Sequence, residues 1–112
     1  MKVEERYLAV NAGSGDLPVL ATPAMLALME NAAMLAVAPA LAEDDTTVGG
    51  RISVTHLRPT APGDEVEATA TLTEVDGRKL TFRVEAYDSK GPIGEGTHTR
   101  FVVNRNRFLG KL

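Results

Sequence analysis

The longest apolar stretch of the chain runs from Thr22 to Leu41, and its pattern predicts one long helix. Alanine, leucine and methionine dominate this stretch, favour helix strongly, and occupy every side of it. A helix that is apolar all round belongs in the interior of a protein. Thr22 followed by Pro23 is a typical start, because a hydroxyl can cap the helix and proline needs no amide partner there. Pro39 is expected to mark the end.

Glu30 is the one charged residue in the middle of this helix, and Asn31 is its only strongly polar neighbour. Burying a carboxylate among Met29, Ala33 and similar side chains is costly unless another group pairs with it or uses it. Glu30 therefore either lies on one solvated edge of the helix or takes part in a functional site, and both interpretations stay open.

The second half of the chain alternates apolar and polar residues, as strands with one buried face do. The clearest case is Glu65–Val75, in which every second residue from Val66 to Leu72 is expected to face inward. Asp76-Gly77 follows, and this dipeptide predicts a hairpin with a type I′ turn. Leu80–Ala86 repeats the alternation, and Ile93–Val103 follows the next turn. These segments predict a three-stranded antiparallel meander.

The remaining segments are shorter or less regular. Arg51–Leu57 is predicted to be a strand that carries His56 on the same face as two β-branched residues, so that the imidazole points at the core or at an interface. A buried histidine that only hydrogen-bonds to its neighbours is the plainer alternative. We expect a first strand at Val3–Val10, a loop at Asn11–Pro18, an acidic, mobile connection at Ala42–Gly50, and an edge extension or loose end from Asn104 onwards.

This order of elements predicts the fold class. One long helix precedes four strands, and no second helix is available to cover the other face of the sheet. A curved antiparallel sheet wrapped around one central helix satisfies that order, and residues 1–112 then form a single α+β domain. Pairing two protomers would continue the sheet and protect its edges, so we expect a homodimer.

Composition narrows the possible partners. The chain has 12 basic and 15 acidic residues, a net charge of -3 and no basic cluster with stacking aromatics, so nucleic acid is not an expected partner. Without cysteine there is no disulfide, thiolate nucleophile or thiolate metal site, and the two histidines lack a metal-ligand spacing. We expect no metal or cofactor.

The central helix approaches the length of a membrane span. Glu30, Asn31, two prolines and many weakly hydrophobic alanines argue against a span, so no membrane association is expected. The amino-terminal residues are charged and lack the apolar core of a secretory signal. The expected location is the cytoplasm.

Three stretches together resemble a known family: ATPAMLALMENAA, VGGRISVTHLRPTAPGDEV and IGEGTHTRFVV. They are similar to hotdog-fold acyl-CoA thioesterases of the fluoroacetyl-CoA thioesterase-like family. The resemblance implies a hotdog fold and hydrolysis of an acyl-CoA to free acid and CoA. It also implies that Thr22, Glu30 and His56 are the catalytic residues. Gly49 matches a glycine near the substrate carbonyl, and Arg100 matches an arginine near the site.

The chain departs from the family in one segment. Members specialised for fluoroacetyl-CoA resemble each other in a lid with bulky phenylalanines, whereas Asn11–Leu20 contains no aromatic residue. The expected substrate is therefore a short-chain or small acyl-CoA, with the acyl group left open.

Several mechanisms are compatible with these residue types. Glu30 could be the nucleophile or the base that activates water, His56 could shuttle the proton, and Thr22 could orient water or attack directly. On one regular helix Thr22 and Glu30 would be about 12 Å apart along the axis. Either Thr22 lies on a loop that bends back, or a partner chain completes the site.

Plainer roles remain for several of these residues. Thr22 could serve only as a helix cap, and Arg100 could be a strand-surface charge paired with Glu95 or Glu85. His98 is expected at the surface. The basic residues of the tail form either a solvated end or a contact with CoA phosphates; they are Arg105, Arg107 and Lys111.

The alternative function is a non-catalytic acyl-CoA or small-acyl binding protein. A hotdog dehydratase is disfavoured, because the chain lacks an aspartate and histidine at the short strand-to-helix spacing of that class.

Overall fold

A computed structural model describes all 112 residues, Met1–Leu112. Four strands follow one long helix, as the sequence predicts, and two short helices lie near the ends of the chain. In chain order the elements are α1 (Ala9–Ala12), α2 (Thr22–Val37), β1 (Asp45–His56), β2 (Glu67–Asp76), β3 (Lys79–Asp88), β4 (Gly91–Asn104) and α3 (Arg105–Leu109). Single 3₁₀ turns cover Glu5–Tyr7 and Ala38–Ala40.

The four strands form one antiparallel sheet in the order β1-β4-β3-β2. The predicted meander is therefore confirmed as β2-β3-β4, and β1 pairs with β4 at the outer edge. Inward residues of β3 form the centre of the core, because they are buried under α2 as the alternation predicts; they are Leu80, Phe82, Val84 and Ala86. The sheet wraps around the long helix, which confirms the predicted α+β architecture.

Helix α2 buries one stripe of side chains against the sheet. Met25, Met29, Ala33 and Val37 are buried, and their spacing of four residues keeps them on one face of a helix. The helix approaches β4 so closely that a Cβ on Gly94 would lie 2.6 Å from the sulfur of Met25. Only these four residues of α2 are buried, so the sheet covers only part of its apolar surface.

The other sides of α2 remain open in the single chain. Leu35, for example, is 59% exposed. By length and composition the stretch Thr22–Ala40 would also suit a membrane span, a property that core helices of soluble proteins share. The α-helix itself ends at Val37, and the 3₁₀ turn around Pro39 continues it to Ala40.

The predicted first strand at Val3–Val10 is wrong. A 3₁₀ turn and α1 occupy most of this segment, and only Lys2 and Leu8 make isolated bridges, to Glu65 and Leu20. The exposed charges between Val3 and Leu8 form no face that a neighbouring strand could cover. Val3 and Leu8 reach the core from either side of the turn instead.

The acidic segment Ala42–Gly50 is not a mobile connection throughout, because β1 begins at Asp45. Strand β4 is long enough to pair with these residues, and Asp45 lies opposite Asn104. The tail is neither an edge extension nor a loose end. It turns into α3, whose first turn is capped by the Asn104 side chain accepting from the Arg107 amide at 3.0 Å.

The predicted hairpin between β2 and β3 is present, but the type I′ turn is wrong. Asp76 pairs with Lys79, so Gly77 and Arg78 are the two loop residues. Gly77 has φ 59° and Arg78 does not have a positive φ. Glycine at the first loop position alone is the pattern of a type II′ turn.

Candidate active site

Thr22 and His56 meet at the amino-terminal end of α2. Thr22 is the first residue of the helix, and His56 is the last residue of β1. The Oγ1 atom of Thr22 lies 2.8 Å from Nδ1 of His56, a hydrogen bond between residues 34 positions apart. Ala21 occupies the cap position and Thr22 makes no capping bond, so the helix-cap interpretation of Thr22 is wrong.

The environment of His56 favours a neutral imidazole. Desolvation by burial lowers the pKa of His56 below its ordinary 6.5, and a contact with the backbone of Arg58 only partly opposes this. The Nε2 atom is buried and has no hydrogen-bond partner within the chain. A neutral imidazole at pH 7 can accept a proton, as a general base must.

A cleft of about 350 Å³ opens beside this pair. Its size is at the small end of the range for ligand pockets. Part of the lining comes from α1 and from the segment that leads into α2, and this part contains no aromatic side chain. The lining residues are Ala9, Ser14, Val19, Leu20, Thr22, His56, Leu57, Arg58 and Pro59.

Arg58, two residues beyond His56, is held by a buried carboxylate that the sequence did not reveal. Its Nη2 atom donates to Asp88 Oδ1 at 2.6 Å, and the Thr60 hydroxyl donates to Oδ2 at 2.8 Å. The Asp88 side chain is 2% exposed. Burial opposes its charge, but these donors and the Lys90 amide lower the pKa of Asp88 to about 2. This ion pair fixes the chain just after His56.

Glu30 and Arg100 form a second cluster, farther along α2. Glu30 Oε2 lies 3.9 Å from Nη1 of Arg100. Arg100 is buried, and its other nitrogens donate to the Thr47 hydroxyl at 2.8 Å and the Thr47 carbonyl at 2.9 Å. Burial lowers the pKa of Arg100, and the charge of Glu30 opposes that shift. The alternative in which Arg100 is a surface charge paired with Glu95 or Glu85 is therefore wrong.

His98 belongs to this cluster, and its prediction as a surface residue is wrong because it is 1% exposed. Its Nδ1 atom lies 2.7 Å from the carbonyl oxygen of Arg51, and Nε2 lies 3.2 Å from Arg100 Nη1. A carbonyl can only accept and a guanidinium can only donate, so Nδ1 carries the proton and Nε2 accepts. The one available signal was the position of His98 two residues before Arg100, on the same strand face.

Gly49 completes the second cluster. It lies opposite Arg100 in the β1–β4 ladder. A Cβ at this position would come within 3.1 Å of Glu30 Oε2 and 3.5 Å of Arg100 Nη1. The structure thus brings together Gly49, Glu30 and Arg100, three of the five residues that the sequence resemblance singled out.

Within one chain the two clusters stay apart. Thr22 and Glu30 both lie on the regular helix α2, so eight residues separate them by about 12 Å along the axis. The alternative in which Thr22 sits on a loop that bends back is therefore wrong. One chain supplies a threonine–histidine pair at one place and a glutamate–arginine pair at another.

Comparison with known proteins shows the family of this chain. The model of the family described as fluoroacetyl-CoA-specific thioesterase matches residues 3–106. The chain belongs to this family. The fluoroacetyl-CoA thioesterase of Streptantibioticus cattleyicolor is 44% identical over 94 residues, which cover 84% of this chain and 68% of that protein.

Solved structures agree with this assignment. The fluoroacetyl-CoA thioesterase FlK is 37% identical, with a TM-score of 0.92 over 99% of this chain and 87% of that chain. A Thermus thermophilus hypothetical protein described as a thioesterase superfamily member is 26% identical, with a TM-score of 0.91 over 99% of this chain and 82% of that chain. The predicted family and hotdog fold are confirmed, and the chain is a thioester hydrolase.

Proposed function

We propose that this thioesterase hydrolyses the CoA thioester of a small acyl group, using Thr22, His56 and Glu30. The observation that carries the proposal is the 2.8 Å hydrogen bond between Thr22 Oγ1 and His56 Nδ1 beside the cleft. A hydroxyl within reach of a neutral imidazole is the arrangement that nucleophilic acyl transfer requires. Support for the substrate class comes from FlK, a variant of which has been solved in complex with fluoroacetate and CoA.

The proposed reaction has two halves. In the first, His56 Nδ1 takes the proton of Thr22 as Oγ1 attacks the thioester carbonyl. The new C–O bond forms, the C–S bond breaks, and the CoA thiolate leaves as a thiol with the proton from His56. In the second, His56 removes a proton from water as the water oxygen attacks the acyl-threonine ester. The bond between the acyl carbon and Oγ1 then breaks, and His56 returns the proton to Oγ1, which releases the acid and restores the hydroxyl of Thr22. Thr22 is the first residue of α2, so the positive end of the helix dipole would stabilise the oxyanion that develops there.

Glu30 enters this scheme through a homodimer, which is part of the proposal. Strand β1 pairs only with β4, so its other edge is open. Antiparallel pairing of two such edges around a two-fold axis near Ile52 would bring the end of one strand beside the Gly49 region of the other. His56 Nε2, which lacks a partner in its own chain, would then donate to Glu30 of the partner subunit.

Other features of the single chain support this arrangement. The apolar sides of α2 that the sheet leaves open need a cover, and a second protomer would supply it. Arg100 would hold the carboxylate of Glu30 in place, and the missing side chain of Gly49 would leave room for the thioester carbonyl. The dimer predicts a solution mass of twice that of the 112-residue chain, and a monomer at assay concentrations would contradict it.

The cleft limits the acyl group. A volume of about 350 Å³ suits a small acyl chain, and the segment Asn11–Leu20 places no aromatic ring over it. Nothing in the lining therefore favours fluoroacetyl over other small acyl groups. The cytoplasmic location expected from the sequence stays a prediction.

Free-thiol release tests the proposed activity. Acyl-CoAs from acetyl through medium-chain and aryl-acetyl would be compared on the wild-type protein and on Glu30→Gln, which keeps the shape of the side chain. We expect turnover of the smaller thioesters, its loss in Glu30→Gln, and an acyl adduct on Thr22 by mass spectrometry after rapid quenching. A stoichiometric, long-lived complex with intact thioester would instead identify a non-catalytic acyl-CoA binding protein.

A further inference from the structure

A basic cleft lies at the carboxyl-terminal end of the chain, away from Thr22 and His56. We propose that this cleft binds the phosphate groups and the adenine of CoA, an inference that rests on the proposed function. We call it the C-terminal cleft. Its volume is about 190 Å³, and it is lined by Arg78, Val102, Val103, Asn104, Arg107, Phe108 and Lys111.

The charge of the C-terminal cleft is unbalanced. Arg78, Arg107 and Lys111 are three of only 12 basic residues in a chain of net charge -3, and no carboxylate lines the cleft. Salt bridges elsewhere in the chain use other cations, and none of these three takes part in one. Three unpaired cations around one concavity attract a polyanion and can donate charge-assisted hydrogen bonds to phosphate.

An aromatic ring stands beside these cations. Phe108 is 38% exposed, although most phenylalanines bury more of their surface. A purine can stack on an exposed phenyl ring, and such stacking contributes to nucleotide binding. Cations and an aromatic surface together match the adenosine 3′-phosphate and diphosphate of CoA better than they match an inorganic anion.

The short helix that carries Arg107 and Phe108 is fixed in place at its start. The Arg105 amide donates to the carbonyl of Asp44 at 2.9 Å, and the Asn104 side chain caps the first turn. Arg78 is tied to the same region, because its Nη1 donates to the Val102 carbonyl at 3.3 Å. The C-terminal cleft is therefore presented by ordered backbone from α3, β4 and the β2–β3 hairpin.

The C-terminal cleft also lies close enough to Glu30 for one CoA molecule to reach both. Arg100, which contacts Glu30, precedes Val102 and Asn104 on β4, so the cleft begins about 7 Å farther along the strand and extends to about 14 Å. A pantetheine arm is long enough to cover this span. A thioester placed at Glu30 would thus put the nucleotide end of CoA at the C-terminal cleft of the same protomer.

The test compares a complete and a truncated substrate. The double variant Arg107→Ala/Lys111→Ala removes two cations from the cleft, and Arg6→Ala/Lys90→Ala removes two exposed cations elsewhere as a charge-matched control. Each is assayed with an acyl-CoA and with the same acyl group on N-acetylcysteamine, which lacks phosphate and adenine. We expect the cleft variant to raise the KM for acyl-CoA by about ten-fold or more, the effect of losing a charge-assisted hydrogen bond.

Against the truncated thioester the cleft variant should match the wild type, because that substrate never reaches the cleft. An acyl-dephospho-CoA, which lacks the 3′-phosphate but keeps the diphosphate, then shows which of the two groups contacts the cleft. An unchanged KM for acyl-CoA, or equal losses on both substrates, would overturn the proposal. If the wild type hydrolysed neither thioester, the proposed function would fail by itself. Calorimetric titration of CoA into wild type and variant would still test the cleft, since equal affinities would overturn it.

Discussion

Replacing Thr22 by valine tests whether its hydroxyl is catalytic or only structural. Valine keeps the branched shape of threonine and removes only the Oγ1 atom that lies 2.8 Å from His56 Nδ1. The structural cost is one hydrogen bond at an exposed position, about 0.5–1.5 kcal/mol. For a domain of this size that lowers the melting temperature by at most about 10 °C.

The expected kinetic cost is larger than this structural cost. A lost nucleophile should reduce kcat by about 1,000-fold or more, which corresponds to roughly 4 kcal/mol in the activation free energy. Stability cannot explain such a loss, because a destabilisation near 1 kcal/mol leaves nearly all of the protein folded at 25 °C. A large loss of kcat together with a small loss of stability would therefore show that Thr22 Oγ1 acts in catalysis rather than in folding.

The assay is thiol release at saturating acyl-CoA, with thermal unfolding measured on the same samples. Thr22→Ser is the matched control, since it keeps a hydroxyl that can act as the nucleophile, and its kcat should stay within about ten-fold of the wild type. If Thr22→Val kept more than a tenth of the wild-type rate, Thr22 would be neither the nucleophile nor an essential ligand of the attacking water.

Three further predictions follow from the geometry of the two clusters. The kcat/KM of the wild type should fall on the acid side with a midpoint below 6.5, because burial lowers the pKa of His56 and only its neutral form accepts a proton. A His56→Ala variant should lose most of its rate and should no longer show this fall at acid pH. Profiles of kcat/KM from about pH 5 to 9 would test both expectations. Gly49→Ala should cut kcat by about ten-fold or more in steady-state assays while changing the melting temperature little, because its Cβ would lie 3.1 Å from Glu30 Oε2. His98→Phe should slow turnover, because Arg100 would lose the Nε2 acceptor that orients it, whereas His98→Gln, which offers an amide oxygen, should recover part of the rate.

The sequence predicted the elements whose patterns are strong and local. Helix α2 could be predicted because strong helix formers continue over four turns, and β2 and β3 could be predicted because alternation persists on both sides of a glycine turn. The prediction of a first strand was wrong, because Val3–Val10 has apolar residues but no neighbouring strand with which to pair. Asp45 joined β1 because β4 extends far enough to pair with it, and no local pattern at Asp45 reveals the length of a strand found later in the chain.

The candidate site could be predicted only where a family resemblance supplied the residues. Spacing alone could not pair Thr22 with His56, because the contact depends on where β1 ends relative to the start of α2. The buried pair of Arg58 and Asp88 was missed for the same reason, since 30 residues separate the two side chains in sequence. The surface position predicted for His98 was wrong, because a polar residue in a strand is expected to face solvent when its hydrogen-bond partners are unknown.

The most direct test of the account mixes two inactive proteins. Thr22→Val and Glu30→Gln are each expected to be inactive as homodimers, since every site lacks either the Thr22 hydroxyl or the Glu30 carboxylate. If Thr22 of one protomer works with Glu30 of the partner subunit, a mixed dimer contains one complete site. Random reassembly of equal amounts should then recover about a quarter of the wild-type activity. A mixture that forms mixed dimers and stays as inactive as its two components would contradict a site shared between protomers.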